Sequence, residues 1–423
     1  MAPNFLGPLF SIIVIKNIFY SFSINFINFL FPLILIPFYI QVFGITNYGL
    51  IAISFSLINY ISVINDYSWN ALGPIKIGKL NSDFNAISQY ISTVINTKFI
   101  LTIPTFLLLF LLSHLYEDIS SNPVFFLSLF AMLFSRTQNA HWIFIGLNKV
   151  RIYFIINSIF KISCLLTILL FVKNKDSFQT LFFILGFFDC LIFITAYIYL
   201  FVKENFKYKK TSFKDISSEL QTGFKMFLTN LTVCSILNSG TLILGVFFNS
   251  KVVGIYSVSE KVIMLGKHAI GVLFQGVFPK ICTVGIASIS ELNRNLRQIF
   301  KYYVLLFTAG TLFLIIFSEQ IISVLSSSHI LESSRYLILL SPIPLIASLN
   351  QSAYMSLLMH EKKNIYFTGY FLGLILNISL AFLLSYFFQV EGMITALILT
   401  ELFITLFLNY NVQRDHNLNF FRK

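Results

Sequence analysis

Run after run of about twenty apolar residues, separated by short loops, limits what this chain can become more than any other feature. As a helix, a stretch of that length matches the hydrocarbon thickness of a bilayer. Inside lipid the backbone must satisfy its own hydrogen bonds, so helices are the natural solution. About twelve spans are expected, near 11–40, 45–66, 89–112, 122–146, 150–172, 178–202, 220–247, 252–272, 298–318, 334–359, 364–388 and 391–412. Composition agrees: 57% of the 423 residues are hydrophobic and 11% are charged. A soluble domain of this size carries about 25% charged residues. The expected fold class is therefore an all-α polytopic membrane protein. The start of the chain is short and uncharged before a long apolar run, which predicts no cleavable signal peptide. Pro32 and Pro37 predict a bend in the first span.

The chain also repeats itself. The stretch 43–54 contains Phe43, Gly49, Leu50, Ile53 and Ser54, and 248–259 places Phe248, Gly254, Ile255, Val258 and Ser259 at matching positions. The same offset pairs Asn25 with Asn230 and Pro74 with Pro279. A second echo joins Ile152-Tyr-Phe to Ile365-Tyr-Phe, each preceded by basic residues. This pattern predicts an internal duplication, a common architecture among secondary transporters. The expected domains are an N-terminal six-helix bundle over 1–202, a cytoplasmic linker over 203–219 and a C-terminal six-helix bundle over 220–423, related by a pseudo-twofold axis. The stretches holding Pro74 and Pro279 suit interfacial segments.

Charge sets the expected orientation. With the N-terminus inside, the inner loops hold Lys76, Lys79, Lys149, Arg151, the lysines of 203–225, Arg294, Arg297, Lys362, Lys363 and the basic tail. The outer loops hold only Lys173, Lys175, Lys251 and Arg335. The bias of basic residues toward the cytoplasm then puts both termini inside. Much of the net charge of +12 faces anionic membrane lipid under this topology and needs no nucleic-acid partner.

Ionisable residues inside the spans carry the functional signal, because a charge at bilayer depth is costly and normally faces a bundle interior or wet cavity. Lys98, Arg136, Lys161 and Lys261 are the candidate cavity cations, and Asp66, Asp189 and Glu401 the candidate acids. Lys16 and Lys267 are placed to snorkel to the inner interface. Each charge has a plainer reading as a structural ion pair, and Lys161 with Asp189 is the expected one. The excess of cations in the first half predicts a positively lined cavity suited to a phosphate-bearing substrate. Asp66 is expected to be solvated near the inner mouth. Glu401 has no cation close in sequence, which makes it the favoured switching carboxylate for a coupling ion, H+ or Na+.

No catalytic constellation stands out. A Gly-rich phosphate loop is absent, His141 has no second ligand at helical spacing, and its neighbour Trp142 suits an interfacial anchor. Cys164, Cys190, Cys234 and Cys282 lack metal-site spacing and read as small apolar residues. Neither an enzyme nor a bound cofactor is expected.

Four motifs carry a resemblance to a known family. They are Pro-Phe-Tyr-Ile-Gln-Val-Phe-Gly at 37–44 leading into Asn-Tyr-Gly-Leu at 47–50, then Asp66-Tyr67, then Trp-Ile-Phe-Ile-Gly at 142–146 with Asn148 and Lys149, and Gly-Ile-Tyr-Ser-Val-Ser-Glu-Lys at 254–261. In order and spacing the chain resembles polysaccharide flippases of the Wzx type, within the multidrug/oligosaccharidyl-lipid/polysaccharide exporter superfamily. Two positions depart from that pattern: Ser68 stands where a glycine is usual, and Ile145 where a glutamine is frequent. The resemblance implies a MATE-like fold with a central cavity, alternating access, and movement of an undecaprenyl-pyrophosphate-linked oligosaccharide across the bacterial cytoplasmic membrane. It further implies cation coupling, with polymerase and chain-length proteins of the same pathway as partners. Another exporter of the same fold, moving drugs or a peptidoglycan lipid precursor, and a membrane glycan polymerase are the alternatives. A polymerase calls for a long outer loop, which the sequence does not show.

Overall fold

A computed structural model of the chain describes residues 8–80, 83–287, 289–415 and 419–420, and all regular structure among them is helical. The first half comprises α1 (Pro8–Asp66), α2 (Trp69–Lys79), α3 (Phe84–Ser113), α4 (Glu117–Ser120), α5 (Pro123–Thr137), α6 (His141–Gly146), α7 (Val150–Phe171) and α8 (Phe178–Ile198). The second comprises α9 (Phe213–Phe247), α10 (Ser250–Ala287), α11 (Ile289–Ile316), α12 (Ser318–Leu325), α13 (Ile330–Leu340), α14 (Pro342–Ser348), α15 (Gln351–Met359) and α16 (Lys363–Arg414). Local signals set several starts. Asp83 accepts from the amides of Asn85 and Ala86 ahead of α3, Asn122 caps α5 before Pro123, and Ser212 and Asp215 cap each other's amides at the start of α9.

Among the described residues, eight helical stretches are long and apolar enough to cross a membrane. Helices α1 and α16 far exceed one bilayer thickness and leave helical torsions at Gly44 and Gln389, so each supplies two spans. The backbone of α1 keeps helical torsions through Pro32 and Pro37 and leaves them at Gly44. Two expected spans are interrupted: α5 and α6 divide 122–146 at residues 138–140, and α13, α14 and α15 divide 334–359. The stretch after Tyr67 forms α2, as suits an interfacial segment. Its counterpart before α11 continues the helix α10, and the Pro279 side chain lies outside the described residues.

The chain divides into two compact units, Met1–Ile34 with Leu57–Leu231 and Leu35–Ser56 with Thr232–Lys423. These boundaries differ from the expected 1–202, 203–219 and 220–423, for two physical reasons. First, residues 204–212 are not a loose linker. The amide of Lys209 donates to Ser92 Oγ at 2.9 Å, Gln89 donates to the Lys210 carbonyl at 3.1 Å, and Asn96 donates to Thr211 Oγ1 at 2.6 Å. Ser92, Gln89 and Asn96 share one face of α3, so the extended segment is strapped along a polar stripe. The start of α9 follows it into the first unit, where Tyr67 stacks on Phe227 at 4.5 Å.

Second, the bend around Gly44 packs backbone to backbone with the α9–α10 turn. A Cβ on Gly49 would lie 1.7 Å from the Ser250 carbonyl oxygen, and one on Gly254 would lie 2.2 Å from the Ile45 carbonyl oxygen. Positions 45 and 250 correspond at the same offset as 49 and 254. The two copies of the repeated sequence therefore touch each other reciprocally, as a local two-fold relation requires. Only glycine permits this approach. Gly254→Val should cost about 1–3 kcal/mol through overpacking, seen as a lowered Tm of the purified protein. An unchanged Tm would contradict the packing described.

Candidate functional site

In the first unit, the site is built on α5, α7 and α8. Phe125 packs on Phe178 and Phe182, and Gly186 lets α8 approach α5 closely, since a Cβ there would sit 3.3 Å from the Met132 amide nitrogen. These contacts put α5 and α8 in parallel register. One turn further along each helix, Arg136 then meets Asp189. Arg136 Nε donates to Asp189 Oδ2 at 3.2 Å, and Lys161 Nζ donates to Asp189 Oδ1 at 2.7 Å. Arg136 Nη1 also donates to Asn59 Oδ1 at 3.2 Å, and Lys161 Nζ lies 5.1 Å from the centre of the Phe31 ring. Two cations converge on one carboxylate, so the cluster retains a net positive charge. The Arg136 side chain is 29% exposed, against 13% for Lys161 and 10% for Asp189. The guanidinium is the most accessible face of the cluster.

Lys98 behaves differently from the expected cavity cation. Its side chain is 0% exposed, and Nζ donates to the carbonyls of Thr137 at 2.6 Å and Asn139 at 3.3 Å. Its ammonium is spent on the C-terminal carbonyls of α5, where the helix breaks and its dipole ends negative. Asp66 Oδ1 lies 3.7 Å from it, so Asp66 faces a buried lysine on one side while 29% of its side chain stays exposed. Asn139 Oδ1 in turn accepts from the His141 amide and from Tyr153 OH, both at 2.8 Å. Trp142, expected at the interface, is buried against Gly73 and Tyr90, and His141 stacks on Tyr153. Lys98 and its partners thus close the broken helix into a packed core.

The second unit holds the remaining candidates. Lys267 pairs with Glu401, although the two are 134 residues apart. Glu401 therefore has a cation that counting along its own helix does not reveal, which corrects the ground on which it was favoured. Lys267 is likewise drawn into an ion pair and does not snorkel. Glu260 accepts from Thr241 Oγ1 at 2.6 Å and lies 3.7 Å from Lys261. Lys267, Glu401, Glu260, Tyr256, Ile236 and Ile343 line a small pocket with room for a water or a small ion.

The structure thus brings Arg136, Lys161 and Asp189 together, sets Lys98 beside Asp66, and joins Glu401 to Lys267. Sequence reasoning missed Asn59, Thr241 and the polar stripe on α3. The stripe had a readable signal, since Asn85, Gln89, Ser92 and Asn96 recur at helical spacing on one face. The described residues show no group of three potential metal ligands.

The architecture and the buried charge clusters define a polytopic helical membrane protein with a MATE-like fold. The chain belongs to the polysaccharide biosynthesis protein family, whose pattern matches residues 14–285. A putative O-antigen transporter of Shigella dysenteriae is 23% identical over 398 residues, covering 93% of this chain and 98% of that protein. A putative O-antigen transporter of Escherichia coli (strain K12) is 20% identical over 392 residues, covering 92% and 94%. Among solved structures, the lipid II flippase MurJ in an inward closed conformation superposes with a TM-score of 0.68 at 18% identity, covering 94% of this chain and 87% of that one. An inward-facing multidrug resistance MATE family transporter of the MOP superfamily gives 0.67 at 11% identity, covering 86% and 89%. These structural likenesses establish the fold.

Proposed function

We propose that this protein is a transporter, not an enzyme, and that it flips a lipid-linked oligosaccharide of the O-antigen or capsule type across the bacterial cytoplasmic membrane. The observation that carries the reading is the Arg136–Lys161–Asp189 cluster, a net-positive group in which Lys161 and Asp189 stand on helices long and apolar enough to cross a membrane and Arg136 on the last turn of α5. A buried excess cation is costly unless an anion or a wet cavity compensates it. A pyrophosphate linkage has the matching charge, and Arg136 offers it a planar, bidentate donor. Membership in a polysaccharide biosynthesis family and the names of the relatives support the same substrate class. Lys261 is a further candidate contact in the second unit.

Under this reading the glycan is loaded on the cytoplasmic side, both termini lie there, and a polymerase with its chain-length partner receives the product outside.

A ligand that binds both states equally shifts neither, so an ion must supply the directional bias. We assign coupling to Glu401, with exchange of Lys267 for H+ or Na+ as the switching event. Asp189 and Asp66, which do not line the small pocket that Glu401 and Lys267 share, are secondary candidates. Glu401→Gln should abolish the response of transport to an imposed proton or sodium gradient, and a wild-type response would overturn the assignment.

The transport reading itself is tested by deleting the gene in its native host. Loss of surface polymer, with lipid-linked repeat units accumulating in the membrane facing the cytoplasm, is the expected result. Normal surface polymer in the deletion strain would contradict it.

A further inference from the structure

We propose that Asp189 is an internal stand-in for phosphate: it occupies Arg136 and Lys161 in this state and is displaced from them by the phosphate anion of the ligand. The proposal rests on the reading of this cluster as the anion site, and it assigns Asp189 a role that opposes binding.

The geometry points this way. The two carboxylate oxygens divide between two cations, Oδ1 to Lys161 at 2.7 Å and Oδ2 to Arg136 at 3.2 Å, as neighbouring oxygens of one phosphate would. One negative charge faces two positive ones, so an arriving anion is attracted even with the carboxylate in place. Each cation also keeps a contact that does not involve Asp189. Arg136 retains Asn59, and Lys161 retains the face of Phe31. Neither would be stranded when the carboxylate withdraws. The guanidinium is the more exposed of the two cations, so the ligand meets Arg136 first and Lys161 after exchange.

The arrangement has a consequence for transport. A ligand that must displace a resident anion binds more weakly by the fraction of time the site is open, which eases its release. A carboxylate that merely held the two cations in position would do the reverse, and its removal would loosen them and weaken binding. The two roles therefore differ in sign.

Binding of inorganic pyrophosphate to the purified full-length protein, followed by isothermal titration calorimetry, separates them. Asp189→Asn should bind pyrophosphate about tenfold tighter than wild type, the scale expected from removing one carboxylate that holds two ion pairs. Because that variant takes the carboxylate from both cations at once, the double variant Lys161→Gln/Asp189→Asn is the companion. It should bind more tightly than Lys161→Gln alone. Equal or weaker binding by the variants lacking Asp189, with wild type binding measurably, would overturn the stand-in role and leave the anion site intact. No pyrophosphate binding by wild type or any variant would overturn both. A soluble prenyl pyrophosphate should compete for the site. Equal competition by phosphatidylglycerol would assign the site to membrane lipid and overturn the substrate reading on which the proposal rests.

Discussion

Arg136→Ala should abolish export of surface polymer while leaving the amount of folded protein unchanged. The side chain lies between Asp189 and Asn59, each at 3.2 Å, with part of the guanidinium still exposed. Its removal leaves Asp189 paired with Lys161 at 2.7 Å, so no carboxylate is stranded and the fold should tolerate the change. What is lost is the planar donor for a phosphate. Truncating one partner of a desolvated charged hydrogen bond costs about 2–5 kcal/mol, a loss of about 30-fold to several thousand-fold in affinity. Arg136→Lys should recover only part of it, because a point charge does not replace a fork of two donors. Surface polymer measured against protein level in the membrane checks both variants. Normal export from Arg136→Ala would remove Arg136 from the mechanism.

Lys98→Met should act on stability instead. Here the ammonium is completely buried and serves the carbonyls of Thr137 and Asn139 and the carboxylate of Asp66. Methionine fills a similar volume but takes the donor from both carbonyls and the neighbouring cation from Asp66. Removing one partner of a buried ion pair destabilises by about 3–5 kcal/mol. The expected result is a marked fall in Tm and in the yield of folded protein. Adding Asp66→Asn should restore part of that loss by neutralising the orphaned carboxylate, a non-additivity that thermal unfolding of the single and double variants would show. A Lys98→Met variant as stable as wild type, with export impaired, would return Lys98 to the substrate path.

The contrast between these two residues shows what the sequence carries and what it withholds. Both are cations inside apolar runs, and depth along a helix does not distinguish them. Arg136 ends beside a second cation on another helix, whereas Lys98 ends against the carbonyls of a helix break. That break, at 138–140, has no proline to announce it. The spans themselves were legible because lipid imposes length and polarity on every segment. The duplication was legible because glycines recur where two backbones meet, as Gly49 and Gly254 do. Pairings across the chain were not. Asp189 was expected to pair with Lys161 at a similar depth on a nearby helix, but its second partner Arg136 was assigned to the substrate alone. Glu401 was judged by neighbours along its own helix, and Lys267 arrives from a different one. Trp142 looked like an interfacial anchor by residue type, yet the absence of a side chain on Gly73 opens a slot that buries it.

The central claim is that a net-positive cluster on a MATE-like scaffold moves a pyrophosphate-linked glycan between leaflets. Reconstitution tests it most directly. Purified protein in liposomes would be supplied with a fluorescent lipid-linked oligosaccharide, and the fraction exposed in each leaflet measured by a membrane-impermeant glycosidase. The account predicts rapid movement between leaflets with wild-type protein and the slow background of protein-free liposomes with Arg136→Ala. Equal movement by the two proteins, or none by wild type under any imposed proton or sodium gradient, would contradict it.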